Sequence, residues 1–374
     1  MSSSTERQHI VASTRSQIRP SAAGRVTHPP GVSATITPMS PPSFRVQPAD
    51  EHYLAASRAE AAFWDKPQFF SAEACAGTPR SAPFNAYTNQ RLTGDPAVRW
   101  FETLQRHGVF RDGLFFGCSA VAHEARILEL NPELSCLFMD ISPASLERRA
   151  TELGSRFPGR VSVVPADLNF AALPEAAYDV IISGGTLHHL VNIEHAAYQI
   201  NRALRPNGWF FLQDYVMEDR LQCSEARKAM FEAMVARGKR RGELPPSTEI
   251  HWPAPDAPEL SPFEAIRAED TLAVLEATLE RVDVRGSGAL TGLLLFLRLS
   301  EDDARRFDNP GQHLWHERPH SWRRRLLASL GRQRRPAMSK HFQDEIILLD
   351  ALCIDSGLLT PFNAFGTFRK RPSP

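Results

Sequence analysis

The chain has 374 residues, 42% of them hydrophobic and 23% charged, so it can bury a sizeable core as one large domain or two ordinary ones. Its 43 Lys and Arg balance 43 Asp and Glu, which argues against a protein whose main task is coating nucleic acid. No apolar run approaches the roughly 18 residues of a membrane-spanning helix, and five scattered cysteines (Cys75, Cys118, Cys136, Cys223, Cys353) suit a reducing compartment with neither zinc site nor disulfide framework, so a cytoplasmic protein is expected.

Residues 1–48 are rich in Ser, Thr, Pro and Arg and show no apolar periodicity, which predicts a disordered tail. Its prolines argue against the amphipathic helix that a transit peptide needs. From Glu51 to Asp65 the pattern is helical (Tyr53, Leu54, Ala56, Ala61, Phe63, Trp64), a loop follows, and a second helix is expected over Pro96–His107. Strand and helix signals then alternate: Gly113–Gly117, helix Val121–Leu130, strand Ser135–Asp140, and a helix over Pro143–Leu153 with Pro early after Ser142. Val161–Val164 and Tyr178–Ser183 are the next strands, then helix Ile193–Leu204, a turn at Asn207-Gly208 and a fifth strand Trp209–Tyr215. Such alternation predicts right-handed β-α-β units and a doubly wound, parallel sheet. Ligands bind such sheets where loops leave the carboxyl ends of the strands, here just after Phe116, Met139, Val164, Ile182 and Leu212.

The first such loop, Phe116-Gly117-Cys118-Ser119-Ala120-Val121, lets a ligand approach the backbone at a glycine before a helix N-terminus. Asp140 ends the second strand 23 residues past Gly117, where a carboxylate accepts from ribose hydroxyls. Asp167, in Pro165-Ala166-Asp167-Leu168, is placed to accept from an adenine amino group. Either acid alone would suit a helix cap or a solvated turn. Two at successive strand ends, after a glycine loop, favour a nucleotide-like ligand.

On these motifs residues 110–216 resemble a class I S-adenosylmethionine-dependent methyltransferase: FFGCSA, MDIS, PADLNF, and YDVIISGGTLHHLVNIEHAAYQINRALRPNGWFFLQDYV. FNAYTNQRLTGDPAVRW and DYVMEDRLQ, together with the last helix–strand units, are similar to a bacterial subgroup carrying an E-Y-V-G-P-S-R-F-Q segment. The resemblance implies a Rossmann-like, mostly parallel seven-stranded sheet with N-terminal helices and a helical insertion. It implies S-adenosylmethionine as cofactor, held by Gly117, Cys118, Ser119, Asp140, Ile141, Asp167, Leu168 and Ser183. His188, His189 and Asp214 are the implied catalytic groups, since a histidine can take a proton from a nucleophile near neutral pH. Tyr87, Arg91, Tyr215, Arg220 and Gln222 are implied to close over the substrate. The division expected is a helical cap over 49–109, a cofactor core over 110–217, a lid insertion over 218–261, and a C-terminal part over 262–374 with a basic insertion near 302–340.

The chain departs from the family's G-C-G-x-G loop, with Ser119 and Val121 at its second and third glycine positions. A methyltransferase acting on a small-molecule or glycan- or lipid-precursor acceptor, at oxygen ahead of nitrogen, leads the readings. A catalytically degenerate binding or regulatory protein and an RNA methyltransferase stand as alternatives. No metal is expected, because no ligand-spaced His or carboxylate motif occurs. The N-P-P-Y-type signature of nucleic-acid amino methyltransferases is absent after strand four, and the arginines of 318–340 read first as a solvated face of a surface helix, ahead of a membrane or RNA contact.

Overall fold

A computed structural model describes residues 43–66, 82–118, 121–300 and 335–372, with Asp303 and residues 307–308 besides. Five parallel strands come first: β1 (Asp112–Phe116), β2 (Ser135–Asp140), β3 (Val161–Pro165), β4 (Tyr178–Gly184) and β5 (Leu204–Tyr215). Two later strands, β6 (Glu280–Ser287) and β7 (Asn363–Arg369), complete a seven-stranded sheet in the order β3-β2-β1-β4-β5-β7-β6, with β7 antiparallel to both neighbours. Parallel register sets Phe116 opposite Met139, Asp140 opposite Pro165 and Phe115 opposite Ile182, so the loops after β1 to β4 leave along one edge. This is the doubly wound, mostly parallel Rossmann-like sheet that the alternation implies.

Helices cover both faces. α1 (Glu51–Trp64) is capped by Asp50, α2 is Ala82–Thr93, α3 is Val121–Leu130, and α4 (Pro143–Arg148) opens as expected, with Ser142 Oγ accepting from the Ser145 amide and Pro143 in the first turn. α5 (Ile193–Ala203) turns Ile193, Ala196, Ala197 and Ile200 inward at helical spacing, onto the face that presents Leu114, Ile181 and Phe210. Phe115 and Phe138, centroids 4.5 Å apart, fill the other face. Burying each such ring stabilises the fold by ~1.5–3 kcal/mol.

The structure departs from the expected elements in three places. Pro96–His107 is not one helix: it forms two 3-10 turns, Trp100–Glu102 and Leu104–His107, divided at Thr103, whose hydroxyl bonds the Trp100 carbonyl. The regular helix is α2, earlier, where a loop was expected. The helix begun at Pro143 changes to a π turn over Arg149–Leu153, which carries Arg149 inward. β5 starts five residues before Trp209, and Asn207 takes φ 66° where the chain bends and shifts register between Tyr178 and Val180.

The 218–261 segment holds α6 (Glu225–Arg240), capped by Ser224. Arg227 anchors it: wholly buried, it donates to the Ala289 carbonyl at 2.8 Å and to Thr360 Oγ1 at 2.7 Å. α7 (Thr271–Thr278) leads into β6, and α8 (Lys340–Asp355) precedes β7. All these elements belong to one unit spanning Met39–Ser373. Residues 1–42, Ser119 and the arginine-rich 318–334 stretch lie outside the described residues, as do the expectations placed on them. Among the described residues no helix is long and apolar enough to cross a membrane, and Cys118, Cys136, Cys223 and Cys353 are unpaired thiols.

Candidate functional site

The loops after β1 to β4 converge on a cleft at the carboxyl ends of the strands. Cys118, Asp140, Ile141, Asp167, Leu168 and Gly185-Thr186 line it from the sheet, and Glu60, Trp64, His189 and Phe263 from above. Gly117 sits beneath with φ +88°, and a Cβ there would come within 2.1 Å of Thr186 Oγ1. Only glycine lets the two loops approach so closely.

Asp140 organises the floor. Its Oδ2 accepts from the Cys118 amide at 2.6 Å and Oδ1 from the Ser142 amide at 2.8 Å, which leaves each oxygen capacity for a hydroxyl. Burial raises its pKa, and those two amides pull the other way. Burial and the Asp140 charge also push the Cys118 thiol well above its ordinary value, so it stays protonated. Behind them, Arg149 in the π turn forks onto Glu124 of α3 at 2.9 and 3.1 Å, tying α3 to the helix after β2.

Asp167 is engaged by protein donors. Tyr53 Oη (2.7 Å) and Ser57 Oγ (3.2 Å) of α1 donate to Oδ2, and the Asn169 amide donates to Oδ1 at 3.0 Å. α1 is thereby fixed over the β3 end of the cleft, with Tyr53 stacked on Phe263 at 5.6 Å. Ser183 is wholly buried in β4 and does not line the cleft.

The three expected catalytic residues separate. His189 lines the cleft; His188 and Asp214 lie buried beneath it. Asp214 accepts from His188 Nδ1, from the Leu187 amide at 2.7 Å and from the Thr186 amide at 3.2 Å, so it shapes the loop after β4. Burial disfavours the His188 charge, but the Asp214 and Glu264 carboxylates outweigh it and hold the pKa up at about 10. His189 Nδ1 stands 3.2 Å from Glu60 Oε1 and 3.3 Å from Ser261 Oγ. Burial works against the charge of Glu60, yet His189, the Trp64 indole (2.6 Å) and the Phe263 amide (2.9 Å) keep it below the ordinary range.

Of the expected substrate residues, none lines the cleft. Tyr87 donates to Asp350 at 2.5 Å, and Arg91 to Asp355 at 2.7 Å and to the Gly286 carbonyl, so both fasten α2 to α8 and β6. Tyr215 lies against His188, ring centroids 4.6 Å apart. Arg220, at φ 56°, donates to the Pro262 carbonyl at 2.5 Å, and Gln222 to the Pro253 carbonyl at 3.0 Å. Arg220 thus ties the 218–261 segment to the stretch carrying Phe263 and Glu264, while Gln222 braces that segment internally. Sequence reasoning missed Glu60, Trp64, Phe263 and Glu264. Trp64 stood in the helical pattern as an apolar position, and nothing local marked the others.

Residues 114–210 match the family model described as a methyltransferase domain. This segment is a methyltransferase domain. Its match starts in β1 and ends in β5, covering the strands whose ends build the cleft. S-adenosylmethionine is the cofactor of such a domain, and the Gly117 cradle and the open acceptor positions of Asp140 suit it. Solved structures similar to the chain include a putative sarcosine dimethylglycine methyltransferase from Galdieria sulphuraria, 15% identical over 72% of this chain and 84% of that one, with a TM-score of 0.39. Another is phosphoethanolamine N-methyltransferase 2 of Haemonchus contortus in complex with S-adenosyl-L-methionine, 14% identical over 84% of this chain and 60% of that one, TM-score 0.44. The [4+2]-cyclase SpnF is 14% identical over 84% of this chain and 96% of its own, TM-score 0.43. No curated protein matches the sequence.

Proposed function

We propose that the chain moves the methyl group of S-adenosylmethionine to a hydroxyl of a small-molecule or glycan- or lipid-precursor acceptor. The observation that carries this reading is His189, which lines the same cleft as Asp140 and has its Nδ1 within 3.2 Å of Glu60. A carboxylate at Nδ1 fixes the imidazole tautomer and leaves Nε2 as the basic nitrogen, the arrangement a hydroxyl nucleophile needs.

Asp140, Gly117, Cys118, Ile141 and Leu168 hold the cofactor, which supplies when bound a methyl group on a positively charged sulfur, open to in-line displacement. Trp64 and Phe263 exclude water from the acceptor end. His189 takes the acceptor proton at Nε2 and Glu60 stabilises the imidazolium that forms. His188, already charged at neutral pH, balances Asp214 and Glu264 and positions the loop. The 218–261 segment, joined through Arg220 to the Pro262 carbonyl, supports the stretch that carries Phe263.

Incubating the full chain with methyl-labelled S-adenosylmethionine and matched panels of hydroxyl and amine acceptors tests the reading. Label should pass to a hydroxyl acceptor, and His189→Ala should slow transfer by ~10²–10⁴-fold. Transfer to amines alone, or a His189→Ala variant of full activity, would contradict it.

A further inference from the structure

Glu264 is 1% exposed, yet neither of its carboxylate oxygens accepts a hydrogen bond. The groups facing it are two imidazole nitrogens: His188 Nε2 stands 3.7 Å from Oε1 and His189 Nε2 3.9 Å from Oε2. One ligating atom from each of the three residues falls within 4.8 Å of the other two. Each imidazole, moreover, is held through its other nitrogen by a second carboxylate, His188 by Asp214 and His189 by Glu60.

The geometry points to a divalent cation site made of His188 Nε2, His189 Nε2 and Glu264, with zinc the ion its ligands suit best. Two imidazoles and one carboxylate are the protein ligands of a zinc centre that keeps an open position for substrate or water. Ligands at zinc distances of ~2.1 Å lie roughly 3.4 Å apart in a tetrahedral arrangement, so ligating atoms that now lie within 4.8 Å of one another must draw in as the ion binds. Carboxylates on the far ring nitrogens are the outer shell that fixes tautomer and orientation in such centres. Charge agrees. Glu60 and Glu264 share one guanidinium, Arg220, and Asp214 and Glu264 share His188, so a dication that displaces the His188 proton on coordination would take over the charge that proton balances.

His189 also lines the cleft, so the open coordination position faces the acceptor end. With the cation bound, His189 Nε2 would be a ligand and the cation would polarise the acceptor hydroxyl so that its proton passes to solvent, whereas in the metal-free chain His189 keeps its role as base. The inference rests on the methyl-transfer reading only for the location of that acceptor.

The full-length protein, stripped with a chelator, is titrated with zinc alone in competition with a chromophoric chelator, and in parallel with S-adenosylmethionine by calorimetry. One zinc per chain is expected, with Glu264→Gln weakening it ~100-fold or more. Asp214→Asn, which alters the outer shell on His188, should weaken it ~10–100-fold. Cobalt in place of zinc should give the visible absorption of a four- or five-coordinate ion, lost in Glu264→Gln. S-adenosylmethionine binding by Glu264→Gln should stay at the wild-type level, which also reports that the variant folds. Absence of stoichiometric zinc, or equal affinity in wild type and Glu264→Gln, overturns the site and leaves an ion-paired cluster. Failure of the methyl-transfer reading is read separately, from loss of cofactor binding by the wild type.

Discussion

Tyr53 donates its hydroxyl hydrogen to Asp167 at 2.7 Å across the mouth of the cleft, joining a helix that precedes the sheet to the loop after its third strand. Burial, and then Asp167, raise the Tyr53 pKa far above its usual value, so the donor persists throughout the physiological range. Tyr53→Phe should lower stability by ~1–2 kcal/mol and loosen α1 over the cofactor. Denaturant unfolding, with calorimetry of S-adenosylmethionine binding, checks both effects. An unchanged midpoint and affinity would mean that α1 is held by its apolar face alone.

Arg149 and Glu124 form a buried pair behind the cofactor loop. Removing one partner strands a charge, so Arg149→Met should cost about 3–5 kcal/mol, whereas Arg149→Met with Glu124→Leu should recover most of that loss. Denaturant midpoints of the single and double variants measure the difference. Equal losses in both would show that packing, not the unpaired charge, sets the cost.

At Gly117 a side chain meets two obstacles, a positive φ and Thr186 at 2.1 Å. Gly117→Ala should lose ~2 kcal/mol or more of stability and bind the cofactor more weakly. Pairing it with Thr186→Gly relieves the contact but not the φ, so recovery should be partial. Full recovery in the paired variant would show that the backbone conformation carries no cost.

His123, stacked on Phe101 at 4.4 Å, is pushed down to about 4 by burial and then by Arg99. Above pH 6.5 the ring is neutral in both folded and unfolded chains and adds no pH dependence. Below it the unfolded chain takes up a proton that the folded one refuses until about pH 4, so stability falls across that window by ~2–3 kcal/mol. Denaturant midpoints against pH for the wild type and His123→Phe isolate this contribution. Parallel curves would exclude His123 as its source.

The sheet was legible because it rests on local signals. β1 to β5 are short apolar runs bounded by turns, Ser142-Pro143 marks a helix start by its own chemistry, and the spacing from Gly117 to Asp140 is a property of one β-α-β unit. The roof of the site was not legible. α2 follows no apolar periodicity, because Tyr87 and Arg91 face α8 through hydrogen bonds and not through packing. Glu60 and Glu264 acquire their meaning only when α1 and the stretch after Ser261 fold onto the loop after β4, and neither carries a spacing signal. His188 and His189 were visible as a pair. Their different roles depend on which carboxylate each ring meets, which the adjacent positions do not encode.

The central claim is that Asp140 closes a cofactor site at the end of β2, and calorimetric titration with S-adenosylmethionine and S-adenosylhomocysteine tests it most directly. Micromolar binding is expected for both, with Asp140→Ala weakening it by ~1–3 kcal/mol, the cost of leaving hydrogen-bonding partners unpaired. Equal affinity in Asp140→Ala and the wild type, or no binding by the wild type at millimolar cofactor, would contradict the account.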